Sequence, residues 1–243
     1  MLLFYVRHGD PVYNPDSLTP LGARQAEAVG KRLALFGIDE IYASTSERAK
    51  LTAKPLCEMM KKEMILLDFA NEGYAWQELT VFSKKKGLNT WLFFAPEMKE
   101  LFHTPELISL GNKWYEHPVF QSEEFKDKDY KAGIDRIQKG TDEFLLSLGY
   151  KRDGLGRYEV LEDNKKRVAF FAHQGFGLAF LSCLLGIPYP HFATHFDMCT
   201  SGVTVIEFNN EDGYSYPKVL MLSSDGHIYR EGLPMRYNGR EPF

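Results

Sequence analysis

Residues 4–10 read FYVRHGD, an apolar run that stops abruptly at Arg7, His8, Gly9 and Asp10. With the residues before it, the stretch 2–6 is apolar throughout. That is the pattern of a central strand buried on both faces, and such strands present functional groups at their C-terminal ends. Packing alone would not choose an arginine and a histidine there. A second stretch repeats the construction: VAFFAHQGFG at 168–177 is an apolar strand with His173 at its exit, followed by a helical pattern.

Working outward, Thr19 suits a helix cap and Pro20 the first helical position, and Leu21, Ala26, Val29, Leu33 and Phe36 form a helical stripe closed by Gly37. A short strand at 40–43, a helix at 46–60 and a strand at 64–68 follow. This alternation predicts an α/β three-layer sandwich, a mostly parallel central sheet with helices on both faces, as one domain over 1–243. Residues 73–131 hold all three tryptophans and show no β-type run, so they read as a helical insertion over the working edge of the sheet. Beyond it come a helix at 133–148, a glycine-marked loop or hairpin at Gly149, Gly154 and Gly156, the strand 167–172, and a helix at 176–185. An antiparallel pair at 202–208 and 218–222 closes the pattern.

The 243 residues are 44% hydrophobic, enough for an ordinary core, and 29 Lys plus Arg against 33 Asp plus Glu leave a net charge of −4. That balance offers no long-range attraction to nucleic acid or an anionic membrane, so an anionic ligand needs a local cluster. Cys57, Cys183 and Cys199 are odd in number and lack C-x-x-C spacing, which argues for reduced, buried thiols. Only six residues precede Arg7, and no stretch approaches the ~20 apolar residues of a membrane span. The expected location is the cytoplasm.

A third strand exit carries Ser44, Thr45, Ser46, Glu47 and Arg48. A cation is disfavoured in the first turn of a helix, so Arg48 suits a clamp better than a helix stabiliser. Two guanidinium groups converging with two imidazoles would make a phosphate pocket. A neutral imidazole is a competent nucleophile toward phosphorus, and neighbouring arginines should keep His8 unprotonated. A leaving alkoxide then needs an acid, for which Glu72 in DFANEGYAW comes first because it follows the strand 64–68 closely, with Glu78 and Asp10 as rivals.

In these elements, FYVRHGD, the helix start at 18–26, the stretch 44–53 and AHQGFG, the chain resembles the histidine phosphatase superfamily, the phosphoglycerate-mutase-like fold. The resemblance implies a phosphohistidine intermediate on His8, a phosphate pocket of Arg7, Arg48 and His173, an acid from the segment holding Glu72, and no metal or other cofactor. It also brings Asn14 and Thr19 toward the phosphate, with Gln174 standing where the family often has Gly or Asp. The usual Glu-Thr then Trp-Asn is replaced by Asp10-Pro11-Val12-Tyr13-Asn14, one residue longer to the asparagine, which leaves the substrate open. The implied function is hydrolysis of a small phosphate monoester, with a phosphoglycerate-type mutase as the alternative. A non-catalytic phospho-ligand module is a third reading, and the oligomeric state is left open.

His191, His195 and Asp197 in PHFATHFD suggest a metal site, because the i and i+4 histidines share a helix face, but without H-E-x-x-H they read as structural or substrate-side residues rather than ligands. His227 reads as a hydrogen-bonded loop histidine, and Lys84-Lys85-Lys86 as a solvated run with a minor chance of guiding an anion. The tryptophans read as core of the insertion. GFGLAF lacks the third glycine of a dinucleotide loop.

Overall fold

The structure, a computed structural model, describes residues 1–238 and 240. Its central sheet has six strands, β1 (Leu2–Arg7), β2 (Glu40–Ser44), β3 (Met64–Leu67), β4 (Arg167–Ala172), β5 (Val203–Glu207) and β6 (Lys218–Ser224), in the order β6-β5-β1-β4-β2-β3. β1, β4, β2 and β3 run parallel, whereas β5 is antiparallel to both β1 and β6.

Alternation along the strands divides the core between two faces. Leu3, Tyr5, Tyr42 and Phe170 join one cluster with Phe176, Phe180, Phe144 and Ile137 of the helices Gln174–Leu185 and Tyr130–Ser147. Phe4, Val6, Ile41, Ala43 and Phe171 join the other, with Val29 and Leu33 of the helix Pro20–Ala34 and Ala53 and Leu56 of the helix Glu47–Met60. Three layers result.

Register places the functional ends. Arg7 stands opposite Ala172, and Ala43 opposite Phe171, so the residues that follow, His8, His173 and Ser44, leave the sheet side by side. The loop after β1 then passes against the start of the helix Pro20–Ala34. A Cβ on Gly9 would lie 2.6 Å from the Gly22 carbonyl oxygen, and one on Gly22 would lie 2.1 Å from that of Asp10. Only glycine fits at either position, and Thr19 caps the helix by accepting a hydrogen bond from the Gly22 amide.

The expectation of a purely helical insertion is corrected. The segment opens with the helix Glu72–Glu78, and then Thr80–Ser83 pairs antiparallel with Leu88–Trp91 before two short helices, Pro96–Phe102 and Pro105–Leu110. Each hairpin strand is four residues long, too short for a two-residue period to stand out in sequence. The lysine run is the hairpin turn, where Lys84 and Lys85 pair with Glu124 and Glu100 and Lys86 lies over the Phe94 ring. Trp91 and Trp114 are both buried in one core cluster, and Trp76 is not. Trp114 packs among Phe102, Phe120, Tyr130 and Tyr189, while Trp76 is 41% exposed and meets Trp91 elsewhere. The loop after Asp10 is also more ordered than expected, a small hairpin of Pro11–Tyr13 and Asp16–Leu18.

Among the described residues, no helix is long and apolar enough to cross a membrane. Cys57, Cys183 and Cys199 are buried and free.

Candidate active site

His8 is buried at the exit of β1, and its position is over-determined. Its amide donates to the Ala172 carbonyl at 2.8 Å, and its carbonyl accepts from the Ser201 amide at 3.0 Å. The ring Nδ1 lies 2.7 Å from the Gly9 carbonyl oxygen, which can only accept, so Nδ1 carries the proton and Nε2 keeps its lone pair. Behind it the Gly9 amide donates to Thr52 Oγ1 at 3.0 Å, and the Thr52 hydroxyl donates to the Arg48 carbonyl at 2.7 Å. The helix carrying Arg48 is thereby fastened to the loop carrying His8.

His173 is buried 5.2 Å away, ring centre to ring centre. Tyr5 holds its backbone, donating its hydroxyl to the His173 carbonyl at 2.7 Å. Its Nε2 lies 2.8 Å from Ser44 Oγ, and its Nδ1 lies 3.5 Å from Glu72 Oε2, too long for a good hydrogen bond. Both imidazoles are held well below their ordinary pKa. Burial is the first cause in each; Arg7 and then Arg48 add to it at His8, and at His173 the additions come from His8, Arg48 and Arg7.

Arg48 donates through Nη1 to Asp16 at 2.8 Å and through Nη2 to Glu72 Oε2 at 3.1 Å, and its guanidinium lies over the Tyr13 ring. Arg7 is fully buried, donating to the Met198 carbonyl and to Asn238 Oδ1, each at 2.5 Å. Glu72 begins the helix Glu72–Glu78, and its Oε1 accepts from the Gly175 amide at 2.8 Å.

The rival acids are held elsewhere. Both oxygens of Glu78 accept from Arg136, at 2.6 and 2.7 Å. Asp10 accepts from the Thr19 hydroxyl at 2.7 Å and lies 3.6 Å from Arg236. Glu72 lines a cleft of about 470 Å³ with Tyr13, Arg48, Gly73, Trp76, Trp91 and Asn238. Larger hollows beside Tyr115–Lys131 and Arg32–His227 contain neither Arg48 nor Glu72.

Two residues expected at the phosphate, Asn14 and Gln174, stand as follows. Asn14 stands exposed in the turn of the first hairpin and is not among the cleft's lining residues, because the hairpin directs its neighbour Tyr13 there instead. Gln174 is buried with both amide ends engaged, accepting from Asn238 and donating to Asp197, so it braces Asn238 beside Arg7. Thr19 caps a helix and holds Asp10. Asp197 serves as a brace, accepting from Gln174 and from the Met198 amide, while His195 meets His103 on the surface. His227 is buried, bonded to Ser201 and facing Arg32.

Sequence reasoning missed Asp16, Thr52, Tyr13 and Asn238 altogether. Ser44 was within reach, since it occupies the exit of β2 just as His8 and His173 follow theirs. Asn238 carries no local signal.

His8, His173 and Glu72 each offer a donor atom within 4.8 Å of the others, the only group of three among the described residues that could hold a metal ion. Its surroundings favour an anion. Two guanidinium groups adjoin it, and Glu72 Oε2 is already shared with Arg48. Three buried polar atoms of the same residues have no partner: Arg7 Nε, Arg48 Nε and His173 Nδ1.

Residues 3–99 match the model of the histidine phosphatase superfamily, branch 1. No curated protein matches the chain in sequence. Its fold is similar to that of a phosphoserine phosphatase from Entamoeba histolytica, solved in complex with 3-phosphoglyceric acid, at 20% identity and a TM-score of 0.57 over 93% of this chain and 98% of that one. A mycobacterial glucosyl-3-phosphoglycerate phosphatase is similar at 18% and 0.57, covering 92% and 98%. An alpha-ribazole phosphatase from Shigella flexneri is similar at 18% and 0.57, covering 92% and 96%.

Proposed function

We propose, on the match of residues 3–99 to the histidine phosphatase superfamily, that the chain hydrolyses a small phosphate monoester through a phosphohistidine on His8. The carrying observation is the set of buried unpartnered atoms on Arg7, Arg48 and His173 around a histidine whose Nε2 keeps its lone pair. A buried polar group without a partner costs ~1–3 kcal/mol, so the three together cost on the order of 3–9 kcal/mol.

In this reading the substrate's phosphate lies against Arg7, Arg48 and His173. His8 Nε2 forms a bond to phosphorus as the ester P–O bond breaks, and the Glu72 carboxyl gives its proton to the departing alkoxide. Glu72 then takes a proton from water as that water attacks the phosphohistidine, releasing phosphate and restoring His8. No metal takes part, and the reduced buried thiols support a cytoplasmic setting. The mutase alternative gains no support from the solved structures of like fold, which carry phosphatase names.

The test is a screen of phosphate monoesters in EDTA beside His8→Ala, with an alkaline denaturing quench that preserves phosphohistidine. The expected result is phosphate release and a covalently labelled wild-type protein, both lost in the variant. Full activity in His8→Ala, or loss of activity in EDTA, would refute the mechanism.

A further inference from the structure

Resting on the phosphatase reading, we infer that the ester carries a single phosphate on an uncharged, flat, ring-bearing leaving group. The observation is how the cleft walls divide between charge and aromatic surface. Among the described residues lining it, the charged side chains are Arg48 and Glu72, and both belong to the reacting phosphate and its acid. The other walls are Tyr13, Trp76 and Trp91, with Gly73 and Asn238.

Trp76 and Trp91 meet at an interplanar angle of 88° with ring centres 5.2 Å apart, so they form a corner. A flat ring in that corner stacks on one indole and meets the edge of the other, the two favoured aromatic geometries. The corner is rigid on one side. Trp91 is only 7% exposed and lies so close to Gly175 that a Cβ there would come within 2.3 Å of its ring. Trp76 at 41% and Tyr13 at 62% leave large aromatic surfaces open to solvent, surface that a ligand can cover with gain.

A substrate with a second anionic group would need a second cation. Arg236, Arg240 and Arg136 do not line the cleft, and each faces a carboxylate: Asp10 at 3.6 Å, Asp197 at 3.6 Å and Glu78. A carboxylate or second phosphate carried into the cleft would lose its water for indole faces, a costly exchange. The geometry therefore selects against phosphoglycerates and bisphosphates.

The test compares kcat/KM for benzyl phosphate, propyl phosphate and 3-phosphoglycerate, all of which release alkoxides, so that ring recognition is not confused with an easier leaving group. Wild-type protein is expected to prefer benzyl phosphate by about tenfold or more, the equivalent of ~1.4 kcal/mol. In Trp76→Ala the benzyl-to-propyl ratio should fall by about as much, and in Trp76→Phe, which keeps a ring, it should be largely retained. A His8-dependent activity that prefers 3-phosphoglycerate, or a ratio unmoved in Trp76→Ala, would overturn the inference and leave the phosphatase reading standing. Failure to hydrolyse any of the esters would overturn both.

Discussion

Glu72 Oε1 accepts a hydrogen bond from the Gly175 amide at 2.8 Å, across 103 residues of sequence. One contact thus joins the start of the 73–131 segment to the helix that follows His173, and it holds the carboxylate beside Arg48 in the cleft wall. Glu72→Gln is expected to lower kcat by ~10²–10⁴ for an alkyl phosphate. For p-nitrophenyl phosphate, whose leaving group needs no proton, the loss should be under about tenfold. Equal losses on both substrates would remove Glu72 from the acid role.

Glu78 provides the matching control. Its carboxylate is engaged by Arg136, half-exposed and outside the cleft. Glu78→Gln should leave kcat within about twofold and lower stability by ~1 kcal/mol or less, as partly exposed ion pairs do. Steady-state kinetics and urea unfolding read the two effects separately.

Because His8 is held well below its ordinary pKa by burial, then by Arg7 and Arg48, it stays neutral as the pH falls below about 6.5. The acid limb of kcat/KM set by the nucleophile should therefore lie well below pH 6. Arg48→Gln removes one of the charges and should move that limb toward higher pH while lowering the rate. A limb that stays put would show that burial and Arg7 set it without Arg48.

His227 makes a stability prediction. Burial, and then Arg32, lowers its pKa to about 4. The unfolded chain takes up a proton near pH 6.5 while the folded one does not, so its neutrality costs stability as pH falls from about 6.5 to about 4. By pH 4 the loss amounts to ~3 kcal/mol. His227→Gln, which cannot titrate, should flatten the fall of unfolding free energy between pH 6 and 4, measured by urea titration at each pH.

Gly175→Ala places a methyl group against the Trp91 ring. The cost should be ~1–3 kcal/mol of stability, with Trp91 displaced from the cleft wall. Tryptophan fluorescence and urea unfolding of the variant check both.

The strand exits were legible because a parallel sheet obeys a general rule: strand ends converge, so an arginine or histidine at each of three ends must meet. Arg7, His8, Arg48 and His173 came together on that ground alone. What braces them was not legible. Asp16 holds Arg48 from 32 residues away, and Asn238 holds Arg7 from 231 away, with no local pattern marking either. A sequence reading locates a loop without its turn, and here the turn holds Asn14 exposed while Tyr13 lines the cleft. The hairpin 80–91 escaped notice because four-residue strands show almost no period.

β1, which brings His8, lies between β4 and β5, so both of its partners come from residues 167–172 and 203–207. At a synthesis rate of about 5–20 residues per second, the earliest-made strand of the sheet waits roughly 10–40 s for the last of them to be translated. During that interval its apolar residues lack the two strands that cover them in the finished sheet.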